Sequence, residues 1–326
     1  MKPRVDWIPP ALLLAIALAA LAMIGNPSTW VTLTVAGLAM GLLIFIMSSG
    51  LTLVFGLMDV MNFAHGLFIA VGAYVAVSVM KLFSASAGSE SFLVNLGALL
   101  PAMLAAVVVA ALLGLAFERI IIKPVYGQHL KQILITTGGM IVAEQLIHVL
   151  WGPDLLPLAR PSTLRGSFLV GDMAIEKFRL SAVVIGLVVF AAMVLVLNRT
   201  KIGLLIRAGV ENKEMVEAMG YRIRRLFVAV FVAGSALAGL GGALWGMYQE
   251  SVTVHIGAQM MVLIFIVIII GGLGSVGGCF AGAILVGLVA NYVGYLSPKI
   301  ALGSNILLMV MVLLWRPQGL YPVSKQ

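Results

Sequence analysis

The chain has 326 residues, 62% of them hydrophobic and 10% charged, with 20 Lys and Arg against 12 Asp and Glu. A soluble domain carries about a quarter charged residues, so this composition excludes a soluble enzyme or binding module and indicates a membrane protein. The surplus of +8 therefore reports orientation in a bilayer rather than affinity for nucleic acid, and the single cysteine, Cys279, excludes an intrachain disulfide.

Apolar windows of about 20 residues suffice to cross a hydrocarbon core of about 30 Å. Ten are predicted, in one all-α polytopic domain over 1–326: 8–24, 31–49, 66–83, 92–117, 132–150, 180–198, 226–247, 258–271, 277–293 and 301–315. The first follows a short basic start and resembles a signal peptide. It is predicted as a retained helix within 1–30, because its removal would leave nine spans. Trp7 and Trp30 bracket it as interfacial anchors.

Segment 50–65 is predicted as a break between the second and third spans, not a span itself. Asp59, Asn62 and His65 fall there within seven residues, with Gly56 and Gly66 on either side. Polar groups in hydrocarbon are costly and normally face a bundle interior or a water-filled path. Glycines at such a place suit an interrupted helix near 56–66, which is tolerated where it is buried in protein or lines a cavity. Ordinary hydrogen bonding of Asn62 and His65 to neighbouring helices is the simpler alternative.

Residues 81–91 read as a small polar outer loop, and 118–131 as a cytoplasmic return in which Pro124 and Gly127 stop any helix. In the fifth span Glu144 and His148 stand at i and i+4, on one helical face. That spacing is compatible with a proton relay and, more simply, with a pair facing other helices. Residues 151–179 form the longest outer loop, rich in Pro and mixed charge.

Segment 199–225 carries seven cations. Within it Asn212 is predicted to N-cap a short helix, KEMVEAM, that Gly220 terminates, with Glu214 in its first turn. Met215, Val216 and Met219 then offer an apolar patch bordered by acids and bases, as a helix-in-groove contact requires. In the seventh span Gly234, Ala238, Gly242 and Gly246 recur every four residues, a face that lets another backbone approach closely.

The stretch GGLGSVGG, 271–278, matches a dinucleotide-binding glycine pattern but lacks the strand, helix and acidic residue that motif needs. It reads instead as a second helix break, with Gly272, Gly274 and Gly277 in it. Two glycine-broken segments in separate halves point to a translocation path. No G-x-x-x-x-G-K-[ST] loop occurs, so the chain itself has no Walker site for ATP. The four histidines have no metal-site spacing, and no metal is expected.

Alternating the spans from a cytoplasmic N-terminus places 14 of the 20 cations inside, including Lys2, Arg4 and Lys325. The positive-inside bias therefore puts both termini in the cytoplasm.

Four separated stretches resemble the branched-chain amino acid permeases, LivH-type, of bacterial ABC importers: GLTLVFGLMDVMNFAHG, FVAVFVAGSALAGLGGAL, IIIGGLGSVGGCFAGAILVG and RPQGLY. The resemblance covers roughly 31–322, so the helix before Trp30 looks like an extension. Leu67 departs from the family, where an acidic or polar residue commonly follows the His-Gly pair. The resemblance implies a non-catalytic permease subunit of the bacterial cytoplasmic membrane. It would carry branched-chain or other hydrophobic amino acids, or related solutes such as urea or amides.

It further implies two ATP-binding subunits that use ATP and Mg, a second permease (LivM-type or another copy) and a periplasmic substrate-binding protein, for which 151–179 could help form the docking surface. No cofactor is expected on this chain. Path residues would be Asp59, Asn62, His65, Gly66, Gly272, Gly274 and Gly277. Segment 199–225 would couple to the ATPase through Arg207, Asn212, Glu214, Met215, Glu217, Met219 and Gly220. An ion-coupled secondary transporter or channel is the alternative class.

Overall fold

The computed structural model describes residues 7–321. Lys2, Arg4 and Lys325, on which the expected orientation partly rests, lie outside the described residues. In chain order the helices are α1 (Ile8–Ile24), α2 (Pro27–Met58), α3 (His65–Leu82), a single turn α4 (Ser84–Ala87), α5 (Phe92–Phe117) and α6 (His129–Trp151). After an outer loop come α7 (Lys177–Arg199), α8 (Lys201–Glu211), α9 (Lys213–Ala218), α10 (Ile223–Gln249), α11 (Ile256–Gly271), α12 (Val276–Leu296) and α13 (Pro298–Trp315). Each of the ten predicted windows falls on one helix. Among the described residues seven helices are long and apolar enough to cross a membrane, while Ile8–Ile24, Ile256–Gly271 and Gly303–Trp315 are shorter apolar helices.

Hydrocarbon supplies no hydrophobic force between helices, so close packing of small residues has to hold them together. That is what the interior shows. The spans α2, α3, α10 and α12 form an inner group, and α5, α6 and α7 surround it. The chain crosses itself where two glycines meet. A Cβ on Gly50 would lie 2.4 Å from the Gly234 carbonyl, and one on Gly72 would lie 2.2 Å from the Gly239 carbonyl. The predicted small-residue face of α10 is thus in use, extended by Gly239 and Gly241. Replacing Gly72 by Ala is expected to cost about 1–3 kcal/mol by overpacking against backbone that cannot swing aside. A melting temperature in detergent equal to that of the unchanged protein would contradict this packing.

Helix α2 differs from its prediction. Asn26 caps it by accepting from the Ser28 and Thr29 N–H groups, and it then runs 32 residues to Met58. At 1.5 Å per residue this is about 48 Å, well beyond the hydrocarbon thickness. The predicted break at 50–65 is therefore shorter and later, at 59–64, and Gly56 lies inside the helix. Likewise the second break spans 272–275, and Gly277 falls in the first turn of α12. Helix α1 is fastened to the bundle, since Trp30 Nε1 donates to the Ala17 carbonyl at 2.8 Å and Ala20 packs with Leu288 and Tyr292.

The loop between α6 and α7 contains structure that its composition did not reveal. A hairpin joins β2 (Ser167–Val170) to β3 (Met173–Glu176), and β1 (Leu156–Pro157) pairs with β4 (Ser251–Val252) just after α10. Arg160 anchors the loop. Its guanidinium donates to Glu176 at 3.0 Å and to the Met247 and Tyr248 carbonyls at 3.0 and 2.8 Å, and pairs with Glu250 at 3.1 Å. Asn95, buried in α5, accepts from Thr163 and donates to the Ser86 and Ser89 carbonyls.

Candidate functional site: two helix breaks, a capped knob and a polar flank

The two breaks and the chain's last described residues form one structure. Gly56 of α2 approaches Gly274 so closely that a Cβ would lie 2.8 Å from its Cα. The C-terminal carbonyls of α11 are met by the returning chain: Leu320 N–H donates to Ile270 O at 2.8 Å, and Tyr321 N–H to Gly271 O at 3.0 Å. Helix ends leave such carbonyls without intrahelical partners, and here the RPQGLY segment supplies them. Gly272, with φ of 102°, lies against the Gln318 and Tyr321 carbonyls. Gly277 is exposed with no neighbour within 4 Å of an added Cβ, so no packing contact accounts for it.

At the first break the three polar residues separate. Asn62 and His65 are each 1% exposed. The Asn62 side chain accepts from the Ala64 N–H at 3.1 Å, shaping the turn into α3. His65 Nε2 lies 2.9 Å from the Met47 carbonyl in α2, an acceptor that requires this nitrogen to carry the proton. Phe63 N–H donates to Thr136 Oγ1 of α6. These contacts pin the break to α2 and α6. Asp59 instead caps α2 in the left-handed conformation, φ 53°, with its carboxylate exposed 3.8 Å from His129. Gly66 provides the crossing of α3 over α11 at Gly257, roofed by the Met140 methyl.

Asp59, Gly56 and the second break lie at the end of the bundle where α5 passes through a π-helical turn (Glu118–Ile122) and where α7 gives way to α8, whereas His65 and Gly66 lie further in, beside Met47, 11 residues before the end of α2, and Met140, 11 residues after the start of α6. Gly209 of α8 packs on Leu57 and Ile223, which binds segment 199–225 to the same end. The sequence predicts one short helix there. The structure has two, because Thr200 also caps, accepting from the Gly203 N–H.

Helix α9 is the predicted knob. Asn212 Oδ1 accepts from the Met215 N–H at 2.9 Å. At the other end Gly220, φ 85°, donates to Glu217 O, and Tyr221 N–H to Val216 O, the paired bonds of a Schellman stop. Met215 and Met219 are 62% and 69% exposed. Val216 is a correction: it is buried against the protein, so the outward apolar patch is Met215 and Met219, with half-exposed Tyr221 beside them. Arg207, Glu214 and Glu217 are exposed around it.

A family model for the permease component of branched-chain amino acid transport systems matches residues 33–315. The chain belongs to that family. The permease is 28% identical over 296 residues to the high-affinity branched-chain amino acid transport system permease protein BraD of Pseudomonas aeruginosa, covering 88% of this chain and 94% of that one. It is also 28% identical over 294 residues to the LivH permease of Escherichia coli K12, covering 87% and 92%. The LivM permease of the same organism is 26% identical over 320 residues, covering 90% and 71%. No solved structure matches the chain. The permease is accordingly a multi-pass protein of the inner membrane, and α1 precedes the matched residues.

One surface of the permease escaped the sequence reading. The outward faces of α5 and α7 expose apolar side chains, such as Leu100, Leu104 and Leu112, and Val184, Val188 and Leu195, as contact with lipid requires. Helix α6 differs from one flank to the other. At 100° per residue Thr137, Glu144 and His148 fall within about 40° of one another, while Val142 and Leu146 lie on the far side. Thr137 on this flank is exposed, exposed Ile141 borders it, and α11 brings exposed His255 and Gln259 alongside. Glu144 has His255 Nδ1 at 3.9 Å, and the His148 ring centre is 6.2 Å from that of His255. The pairing predicted within α6 is thus joined by a histidine 111 positions beyond Glu144. Only the chain's return at α11 places it there.

Proposed function

We propose that the permease carries branched-chain amino acids inward as one of two permease subunits, powered by ATP that separate subunits hydrolyse. The end bearing Arg119, Arg207 and Arg222 faces the cytoplasm, by the positive-inside bias. The flank of α6 and α11 faces the second permease, either LivM-type or another copy, and the solute passes between them. Polar side chains on that flank favour this arrangement, because against lipid they would be costly.

Glu144, His148, His255 and Gln259 then stand near the outer mouth, where a periplasmic binding protein delivers the solute. Met61 and Phe63, carried on the break, stand at the inner mouth with Asp59. Asn62 and His65 act by fixing the shape of that break. Gly272 and Gly274 let the backbones that frame the mouth come together, Gly277 borders them, and Gly66 allows the same close approach further in, against Gly257.

The observation that carries the ATP-driven reading is α9. A six-residue helix capped at both ends presents Met215, and its C-cap Met219, to water beside a membrane that could cover them. Closure of the ATPase subunits would push on Met215 and Met219, and reach α10 through Gly220 and Arg222.

Proteoliposomes holding this permease, its companion permease, the ATPase subunits and the binding protein are expected to accumulate radiolabelled leucine only when ATP and Mg are enclosed with the ATPase. Uptake by the chain alone, driven by an ion gradient, would replace this reading with a secondary transporter.

A further inference from the structure

A cavity of about 800 Å³ opens between the end of α5 and the start of α10. Five cations line it: Arg119 and Lys123 from the turn after α5, and Arg222, Arg224 and Arg225 at the head of α10. Two carboxylates, Glu118 and Glu217, also line it, leaving a surplus of three positive charges. None of the five cationic side chains makes an ion pair with a described residue. Glu118 is 1% exposed and engaged by the Tyr126 hydroxyl.

Unpaired arginines in a concave site are suited to a phosphate oxyanion, which a guanidinium meets with two parallel hydrogen bonds. The position narrows the ligand further. The cavity lies where the apolar spans Phe92–Val125 and Ile223–Gln249 end, the depth of lipid headgroups, and Ile120 beside Arg119 is exposed. A second cavity of about 460 Å³ adjoins it and shares Gly220, Tyr221, Arg222, Ile223 and Arg225 in its wall. Its remaining lining is apolar: Ile202, Leu205, Val216, Leu226 and Ala229. An open basic cleft that shares Arg222 and Arg225 with a neighbour otherwise lined by apolar side chains fits an amphiphile better than a free anion.

We infer that the paired cavities bind one anionic phospholipid, with its phosphate among Arg119, Arg222, Arg224 and Arg225 and an acyl chain along Leu205, Val216 and Leu226. The shared wall, Gly220 to Arg225, is the strap between α9 and α10. A lipid seated on both sides of it braces the link through which motion of α9 reaches the spans.

The test uses the full chain purified in neutral detergent and, separately, the assembled importer. Each is incubated with equal amounts of phosphatidylglycerol and phosphatidylcholine, and the lipid retained is counted by native mass spectrometry. Phosphatidylglycerol is expected to be retained on the order of tenfold better. Replacing either Arg222 and Arg224 or Arg119 and Lys123 by Gln is expected to remove most of that preference, since each cation near a headgroup contributes roughly fivefold.

The two pairs lie on different elements, so one remains informative if the other fails to fold. Equal retention of both lipids, or a preference untouched by both double variants, would overturn the inference. Displacement by inorganic phosphate at millimolar concentration would show a free-anion site instead. Loss of the lipid on assembly with the ATPase subunits would show that the cleft is their contact surface.

Discussion

Replacement of Met215 and Met219 together by Gln is expected to cut ATP-driven uptake on the order of a hundredfold, while the permease still folds and inserts. Both side chains are mostly exposed in the chain alone, so their loss costs the permease little stability, as surface changes usually do. Gln is a good helix former, so α9 persists. What disappears is apolar area available to a partner's groove. Burying a methionine contributes about 1.5–3 kcal/mol, and ~3 kcal/mol for the pair is roughly a hundredfold in affinity.

Val216 supplies the contrast. Buried beside the same helix, its replacement by Ser is expected to lower the melting temperature instead of selectively weakening ATPase docking. Retention of ATPase subunits during purification, measured beside leucine uptake, checks the pair. Undiminished uptake by the double Gln variant would remove α9 from the coupling route.

Replacement of Arg160 by Met is expected to destabilise the loop between α6 and α7 by about 3 kcal/mol. The guanidinium, 13% exposed, holds Glu176, Glu250 and two backbone carbonyls, and lies 5.0 Å over the Phe178 ring. Hydrogen bonds to a charged group contribute about 1.5–3 kcal/mol, and a carbonyl left without its donor adds a desolvation cost. Partial exposure of Glu176 and Glu250 limits the loss, because water can replace part of what they give up. Lys at this position cannot reproduce the planar fork and should recover only part of the stability. Trypsin cleavage at Arg165 and Lys177, followed with the melting temperature, reads the effect. A variant as resistant as the parent would show that the β1–β4 pairing holds the loop unaided.

The two cases differ in how much the sequence disclosed. The α9 knob was legible because both of its ends are local: Asn212 caps three residues on, and Gly220 supplies the left-handed stop. Its facing was not, and Val216 went to the wrong side. Arg160 was merely one charge in a mixed loop. Its partners are carbonyls of Met247 and Tyr248, 87 and 88 positions away, and main-chain acceptors carry no signature of residue type.

The break after α2 is narrower than predicted for a related reason. Gly56 was read as a helix interruption, whereas it is a helical glycine whose missing Cβ admits Gly274. A glycine that bends a chain and one that admits a neighbour look the same in one dimension. For the same reason GGLGSVGG and RPQGLY read as separate motifs, although the second supplies donors to the helix that ends at the first. Glu144 and His148 were found, and His255 beside them was not.

By itself the sequence determined that this chain lives in lipid, which segments are its apolar helices, and which family it resembles. Those properties rest on composition, on caps a few residues long and on contiguous motifs. Only the tertiary structure decided which way each polar group turns: Asn62 and His65 inward, Asp59 outward, and Thr137, Glu144 and His148 along one flank. Every span in hydrocarbon is apolar nearly all round, so periodicity alone leaves its rotation undetermined. The close contacts of Gly50 with Gly234, Gly72 with Gly239 and Gly56 with Gly274 set that rotation.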